Sequence, residues 1–184
     1  MAIKIAVVNE SKNNETRVAV VPEIAQKLSS NNVTFSIEKN SGAASGFLDA
    51  DYPENACSFF DVASEALKDA DVLFKVNPPT SEEIGYMKKG ALAVSYMSPF
   101  QSGELIKNMA SSGIDAFSVE LIPRISRAQS MDALSSQASI AGYKAVILAA
   151  NNANKFFPML TTAAGTVRPA QTLIVGAGVA GLQA

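Results

Sequence analysis

The last twelve residues decide the fold, and they read Leu173-Ile174-Val175-Gly176-Ala177-Gly178-Val179-Ala180-Gly181-Leu182-Gln183-Ala184. An apolar run that enters Gly-x-Gly-x-x-Gly is typical of a strand that turns tightly into a helix, the opening of a dinucleotide-binding βαβ unit. Gly176 permits the turn, Gly178 lets backbone N–H groups approach a pyrophosphate, and Gly181 lets the helix lie close to the strand. The predicted pyrophosphate contacts are therefore Gly176, Ala177, Gly178, Val179 and Gly181.

Upstream of this turn, the chain alternates strand and helix patterns. Strands are predicted at residues 3–8, 33–38, 71–76, 91–96 and 114–119, and helices from Pro22, at 51–59, at 63–68, from Ser81 and at 102–111. Strands separated by helices of this length imply parallel crossovers. We therefore expect an α/β fold with an open, doubly wound, mostly parallel sheet, a flavodoxin-like or Rossmann-like N-terminal lobe.

After residue 123 the pattern changes. Residues 130–151 predict a long helix buried on much of its surface, in which Gly142 costs about 1 kcal/mol unless close packing compensates. A second helix is predicted at 156–163 with Gly165 just beyond its end, and a final strand at 172–175. The expected division is a lobe at 1–123, a loop and interlobe helices at 124–169, and the start of a truncated nucleotide-binding domain at 170–184. The final strand is expected to have no sheet to join and to be disordered or swapped.

The composition excludes several classes of function. The 184 residues are 48% hydrophobic with a formal net charge of −2, which offers no general attraction to nucleic acid. With one cysteine and no histidine, neither a zinc site nor a histidine-dependent hydrolase triad is expected, and no metal is expected. No apolar run approaches the roughly 20 residues that a membrane span needs, and no signal peptide is apparent. A soluble, cytoplasmic chain is expected.

A dense polar segment runs from Arg124 to Gln137, just after the last strand of the first lobe. The carboxyl ends of strands are where open α/β sheets bind ligands. An Arg124–Asp132 pair across the loop would present Gln129, whose amide donor and acceptor suit a carboxamide such as nicotinamide. The alternative is a solvated loop followed by a helix that Asp or Ser caps.

Two cations in the first lobe have functional and structural interpretations. Arg17 could clamp a carboxylate or phosphate, or it could form an ordinary ion pair with Glu15. Lys75 ends an apolar strand, so its ammonium group needs a partner or an exit to solvent, or it has a function.

Five stretches resemble the soluble NAD(H)-binding alpha component of proton-translocating NAD(P) transhydrogenase, within the alanine dehydrogenase/transhydrogenase family. They are residues 123–143, 14–19, 74–78, 162–167 and 175–184. The resemblance implies hydride transfer between NADH and NADP, with NADP and the proton path on other components. It also implies a homodimer that lies peripheral to the cytoplasmic membrane through membrane-spanning and NADP-binding partners.

The resemblance assigns roles within the polar segment. Arg124 and Asp132 would fix the loop, Gln129 would lie between the two nicotinamides, and Ser135 would hydrogen-bond the carboxamide of NAD(H). Hydride transfer needs two rings at near-attack distance without water, and it needs no protein acid or base. Catalysis is thus assigned to Gln129, Arg124 and Asp132.

Two alternatives remain open. Alanine dehydrogenase resembles the chain at Arg17 and Lys75, which there would hold the keto acid, but it relies on a histidine near the end of the strand at 91–96, and this chain has none. A non-catalytic fragment is the other alternative. The acidic residue that binds ribose is expected about 20 positions after the turn, and the sequence stops at Ala184 before that position. The 184-residue chain is therefore expected to be incomplete, inactive alone, and weak or inert toward NADH.

Overall fold

A computed structural model describes residues 2–184, and the chain divides into two units. The first unit ends at Leu121, and the second unit is Ile122–Ala184.

The first unit is built on a six-stranded sheet whose neighbouring strands are all parallel. The strands are β1 Ile3–Val7, β2 Val33–Glu38, β3 Cys57–Phe60, β4 Val72–Phe74, β5 Leu92–Ser95 and β6 Asp115–Ser118. Their spatial order is β3-β2-β1-β4-β5-β6, so the chain reverses its direction of winding at β1. This order confirms the doubly wound parallel sheet and places its switch point between β1 and β4.

Three ends of the helices in the first unit lie at residues that commonly start or stop a helix. They are α1 Pro22–Ser29, α2 Ala63–Leu67, α3 Ser81–Tyr86 and α4 Gly103–Ser112. Pro22 is the first residue of α1, as predicted, where its missing N–H costs no hydrogen bond. Thr80 and Glu83 cap α3 reciprocally, and Gly113 ends α4 with a φ of 70°.

Alternate residues of β1, together with Val8 directly after it, pack into two separate hydrophobic clusters. Ile5 and Val7 join the cluster on one face of the sheet, and Ala6 and Val8 join the cluster on the other. Side chains alternate between the faces of a strand, so a strand buried on both sides must be apolar throughout. This requirement explains the nearly continuous apolar runs from which the strands were predicted.

The prediction of a helix at 51–59 is wrong. The segment instead contains a short 3-10 helix, Asp49–Asp51, followed by the edge strand β3, which pairs with β2 from Phe35 to Glu38. Pro53 disfavours a continuous helix through the segment, and aromatic residues at its end favour a strand. The pairing partner is distant in sequence, so the local pattern did not reveal it.

The second unit contains one long helix, a hairpin and a short helix. They are α5 Ala133–Asn152, the antiparallel pair β7 Leu160–Thr162 and β8 Gly165–Val167, and α6 Val179–Gln183. The predicted helix at 156–163 is therefore wrong, because Pro158 interrupts it and Gly165, with a φ of 126°, supports the hairpin turn. No strand forms at 172–175.

The expectation that α5 is buried on much of its surface is also wrong. Gly142 is the buried residue of this helix, whereas Ile140 is 60% and Tyr143 61% exposed. Two three-residue strands and a five-residue helix supply too little apolar surface within the second unit to cover a 20-residue helix.

Candidate functional site

The polar segment folds as a tight turn before α5. Residues Ser126–Met131 form a 3-10 helix in which Ala128 is buried and Gln129 is exposed. The backbone N–H of Ala128 donates to the Ile125 carbonyl over 2.9 Å, and that of Asp132 donates to the Gln129 carbonyl over 3.2 Å. The turn thus leaves the Gln129 amide accessible to a ligand.

Asp132 caps α5. Its Oδ1 accepts from the Ser135 backbone N–H at 2.9 Å, and its Oδ2 accepts from the Ser135 hydroxyl at 2.6 Å. These bonds from Ser135 hold the pKa of the Asp132 carboxyl below its usual value, with a smaller contribution from the charge of Arg124. The capping interpretation is therefore confirmed.

The ion pair expected between Arg124 and Asp132 is a misprediction. Among the residues that the structure describes, the ion pairs do not include these two side chains, and Arg124 is exposed. Asp132 has its two oxygens engaged by Ser135 instead, so the cap competes with the loop-spanning pair for the same carboxylate.

The glycine turn has the geometry that its spacing predicts. Gly176 has a φ of 114°, a region that favours glycine, and Gly178 is the residue that precedes α6. A side chain at Gly181 would overlap the Gly176 carbonyl oxygen. Glycine at position 181 therefore allows α6 to lie close to the backbone of the turn.

Arg17 is paired with Glu15, the structural alternative of the two weighed for it. Its Nε and Nη2 donate to the two Glu15 carboxylate oxygens, each over 2.8 Å. Asn77 also donates to this carboxylate through its Nδ2 at 3.2 Å. The hydrogen bonds from Arg17 are the main cause that lowers the pKa of Glu15 to about 2.

Lys75 has a partner and does not reach solvent. Its Nζ lies 2.8 Å from both carboxylate oxygens of Glu83, and its side chain is 3% exposed. Glu83 belongs to α3, which follows β4 directly, so the pair ties the strand to the next helix. Of the alternatives left open for Lys75, the exit to solvent is therefore wrong, and a buried partner is present.

Sequence reasoning missed Glu10. This buried carboxylate accepts from the backbone N–H groups of Val76 and Asn77 at 2.7 and 2.9 Å, and from Asn77 Nδ2 at 3.1 Å. It thereby joins the ends of β1 and β4 at the switch point of the sheet. The sequence gives one indication of a role for Glu10, which is that this acid follows shortly after an apolar strand.

Other chemistry has little support in the described residues. Burial raises the pKa of the Cys57 thiol to about 11, so little thiolate is present at neutral pH. Within residues 2–184, no three of the side chains that commonly bind metals are grouped to hold an ion. In the same part of the chain, no helix has the length and apolar character of a membrane span.

The winding order of the sheet and the glycine turn define an α/β protein of the Rossmann-like class. Residues 6–141 match the alanine dehydrogenase/PNT N-terminal domain, and residues 145–184 match the C-terminal domain of the same family. The chain belongs to this family of oxidoreductases.

Three relatives place the chain within the family. The first portion of the NAD(P) transhydrogenase alpha subunit of Rickettsia prowazekii is 42% identical over 186 residues, which cover 99% of this chain and 49% of that protein. The crystal structure of a transhydrogenase from Sinorhizobium meliloti is 43% identical, with a TM-score of 0.92 over 98% of this chain and 54% of that one. Alanine dehydrogenase 1 of Staphylococcus aureus (strain Mu50 / ATCC 700699) is 32% identical over 79% of this chain and 38% of that protein. The chain thus spans about half the length of the transhydrogenase relatives.

Proposed function

We propose that the chain is part of the NAD(H)-binding component of a proton-translocating NAD(P) transhydrogenase. In this proposal it helps to transfer a hydride between NADH and NADP, with NADP held on another component. The observation that carries the proposal is the second unit, where the polar turn leads into α5 and the glycine turn leads into a helix packed on α5. The similarity to transhydrogenase alpha subunits supports it.

The polar turn suits the recognition of a nicotinamide carboxamide. Ser135 donates its hydroxyl proton to Asp132, so its oxygen lone pairs are left to accept from the carboxamide NH₂. The exposed Gln129 amide supplies a further donor and acceptor. Arg124 contributes positive charge near Asp132, and none of these groups needs to move a proton during hydride transfer.

The glycine turn is assigned to the pyrophosphate. The backbone between Gly176 and Gly181 would approach the phosphates closely, since side chains are missing at its three glycines. Ala177 and Val179 would contribute through the same stretch of backbone. The reaction chemistry itself belongs to the two nicotinamide rings, and the protein would orient one of them and exclude water.

Partners follow from the same proposal. An NADP-binding component would face the polar turn. A membrane-spanning component would carry the proton path and bring the chain to the cytoplasmic membrane. A second copy of the chain would complete a homodimer. The exposed apolar side chains of α5 are compatible with such contacts.

Alanine dehydrogenase is the second candidate, and the placement of Arg17 and Lys75 after β1 and β4 favours it. Both cations are already engaged by Glu15 and Glu83, however, and the sequence contains no histidine. Alanine-dependent formation of NADH by this chain joined to the half of the Rickettsia prowazekii relative that does not align with it would support this candidate over the first.

The experiment that separates the candidates is isotopic. The chain is joined to the half of the Rickettsia prowazekii relative that does not align with it and mixed with an NADP-binding component. Deuterium at C4 of NADH is expected to appear in an NADP analogue, and Gln129→Asn is expected to slow the transfer. Lack of transfer together with an inert Gln129→Asn substitution would contradict the proposal.

A further inference from the structure

Gly142 lies where α5 meets α6. A Cβ built on Gly142 would overlap the carbonyl oxygen of Ala180 and lie 2.9 Å from its carbonyl carbon and 3.1 Å from its Cα. The atoms in the way are backbone, so no rotation of a side chain would relieve the overlap. The approach of these two helices therefore requires glycine at position 142.

A second contact joins the same faces. The Ser139 hydroxyl donates to Gln183 Oε1 at 3.2 Å. Residues 139 and 142 are three apart and so lie on one side of α5. The same side of α5 thus contacts the second and the last residue of α6, the helix that follows the glycine turn.

The N-terminal end of α5 carries the polar turn. Asp132 caps α5, and ten residues at 1.5 Å each place Gly142 about 15 Å further along the helix axis. One helix thus links the segment assigned to nicotinamide with the turn assigned to pyrophosphate. All of these residues belong to the second unit.

We propose that Gly142 is a positioning residue that sets the spacing between the two halves of the dinucleotide site. Its missing side chain seats α6 on α5, and α5 then holds the glycine turn at a fixed distance from Gln129 and Ser135. This inference rests on the proposed function, because the ligand of both segments is NAD(H). Substitution of Gly142 would displace the glycine turn and leave the polar turn intact.

The first test measures geometry without any nucleotide. Spin labels at Arg127 and Leu182, both exposed, report the distance between the two turns after the buried Cys57 is replaced by serine. Gly142→Ala is expected to shift or broaden the distance distribution, and Gly142→Leu to do so more strongly. Ala141→Leu, on an exposed neighbouring position, is the control and is expected to leave it unchanged. Identical distributions in the wild type and both Gly142 variants would overturn the inference.

The second test separates positioning from general damage. Ligand-observed NMR compares NADH with its halves, ADP-ribose and reduced nicotinamide mononucleotide, on the chain joined to the half of the Rickettsia prowazekii relative that does not align with it. In Gly142→Ala each half is expected to bind within about twofold of the wild type, while NADH loses roughly tenfold, because misplaced sites no longer gain from the link between the halves. A parallel loss of all three, or an unchanged affinity for NADH, would contradict positioning.

The two tests distinguish the inference from the function on which it rests. If this joined wild-type protein binds none of the three, the assignment of both turns to NAD(H) fails. The label distances then decide alone whether Gly142 sets the spacing of α5 and α6.

Discussion

Lys75 and Glu83 illustrate how single charges are accommodated in the first unit. The Lys75 side chain is almost fully buried, and its ammonium group donates hydrogen bonds to both carboxylate oxygens of Glu83. Glu83→Gln would leave the buried ammonium without its counter-charge, so we expect the free energy of unfolding to fall by about 3–5 kcal/mol.

Urea denaturation measures this loss, and the exposed pair of Lys39 and Asp61 provides the control. Asp61→Asn is expected to change stability little, because water screens an exposed pair. Glu83→Gln combined with Lys75→Met is expected to recover most of the loss. A Glu83→Gln variant as stable as Asp61→Asn would contradict the interpretation.

Glu15 gives a pH dependence with a defined sign. Its pKa is lowered from 4.5 to about 2 in the folded protein, so its pairing with Arg17 stabilises the fold above the unfolded pKa and is lost as pH falls towards 2. The stability difference between wild type and Glu15→Gln should therefore be constant near neutral pH and shrink between about pH 5 and 2. We expect a difference of at most about 1 kcal/mol, since the Arg17 side chain is 45% exposed. A difference that persists unchanged at pH 2 would disprove this.

Asp132 has two roles that substitution can separate. Asp132→Ala removes the cap, so the Ser135 amide should exchange its hydrogen faster, and NADH binding should weaken. Asp132→Asn retains a capping oxygen, so exchange at Ser135 should stay near the wild-type rate. Hydrogen exchange followed by NMR measures both variants. Equal protection of Ser135 in wild type and Asp132→Ala would show that the cap does not hold this turn.

Among the helices, the change in stability that a Gly→Ala substitution causes depends on how closely other atoms pack around the glycine. Glycine is a poor helix former, so Gly→Ala in an open helical position should stabilise by about 1 kcal/mol. Gly85 of α3 has open space where a Cβ would lie, and Gly142 of α5 does not. We expect Gly85→Ala to raise the free energy of unfolding and Gly142→Ala to lower it, as measured by urea denaturation. A stabilising Gly142→Ala substitution would contradict the close contact with Ala180.

Elements with a local signal were predictable from the sequence. Contacts near in sequence mark the start of α1 at Pro22 and of α3 at Thr80 and Glu83. The apolar run of β4 was visible too, although its pairing partners are distant. Pairing with the distant β2 overrides the local pattern at β3. The β7–β8 hairpin is local, and there Pro158 and the turn at Gly165 replace the expected helix.

The candidate site was predictable only in part, for a related reason. The polar turn and the glycine turn are continuous in sequence, so their residue types and spacing were visible. The sequence left open whether Asp132 would pair with Arg124 or cap α5, and it did not reveal that the buried Glu10 binds backbone from 66 residues away. Hydrogen-bond partners are selected by the folded geometry, which spacing alone does not contain.

At the scale of the whole molecule, the 184 residues correspond to about half of the transhydrogenase relatives. A dinucleotide site is built from a whole βαβ unit, of which the glycine turn is one part. We therefore expect these 184 residues to bind NADH weakly, with an affinity in the micromolar range or weaker, as measured by calorimetry. Submicromolar affinity would contradict this expectation.

The position of the reduced nicotinamide ring decides whether the polar turn binds NAD(H). It can be seen in a crystal structure, with NADH bound, of the chain joined to the half of the Rickettsia prowazekii relative that does not align with it. We expect the carboxamide to contact Ser135, with Gln129 beside the ring. A ring bound away from residues 124–135 would contradict the assignment of the polar turn and, with it, the proposed function.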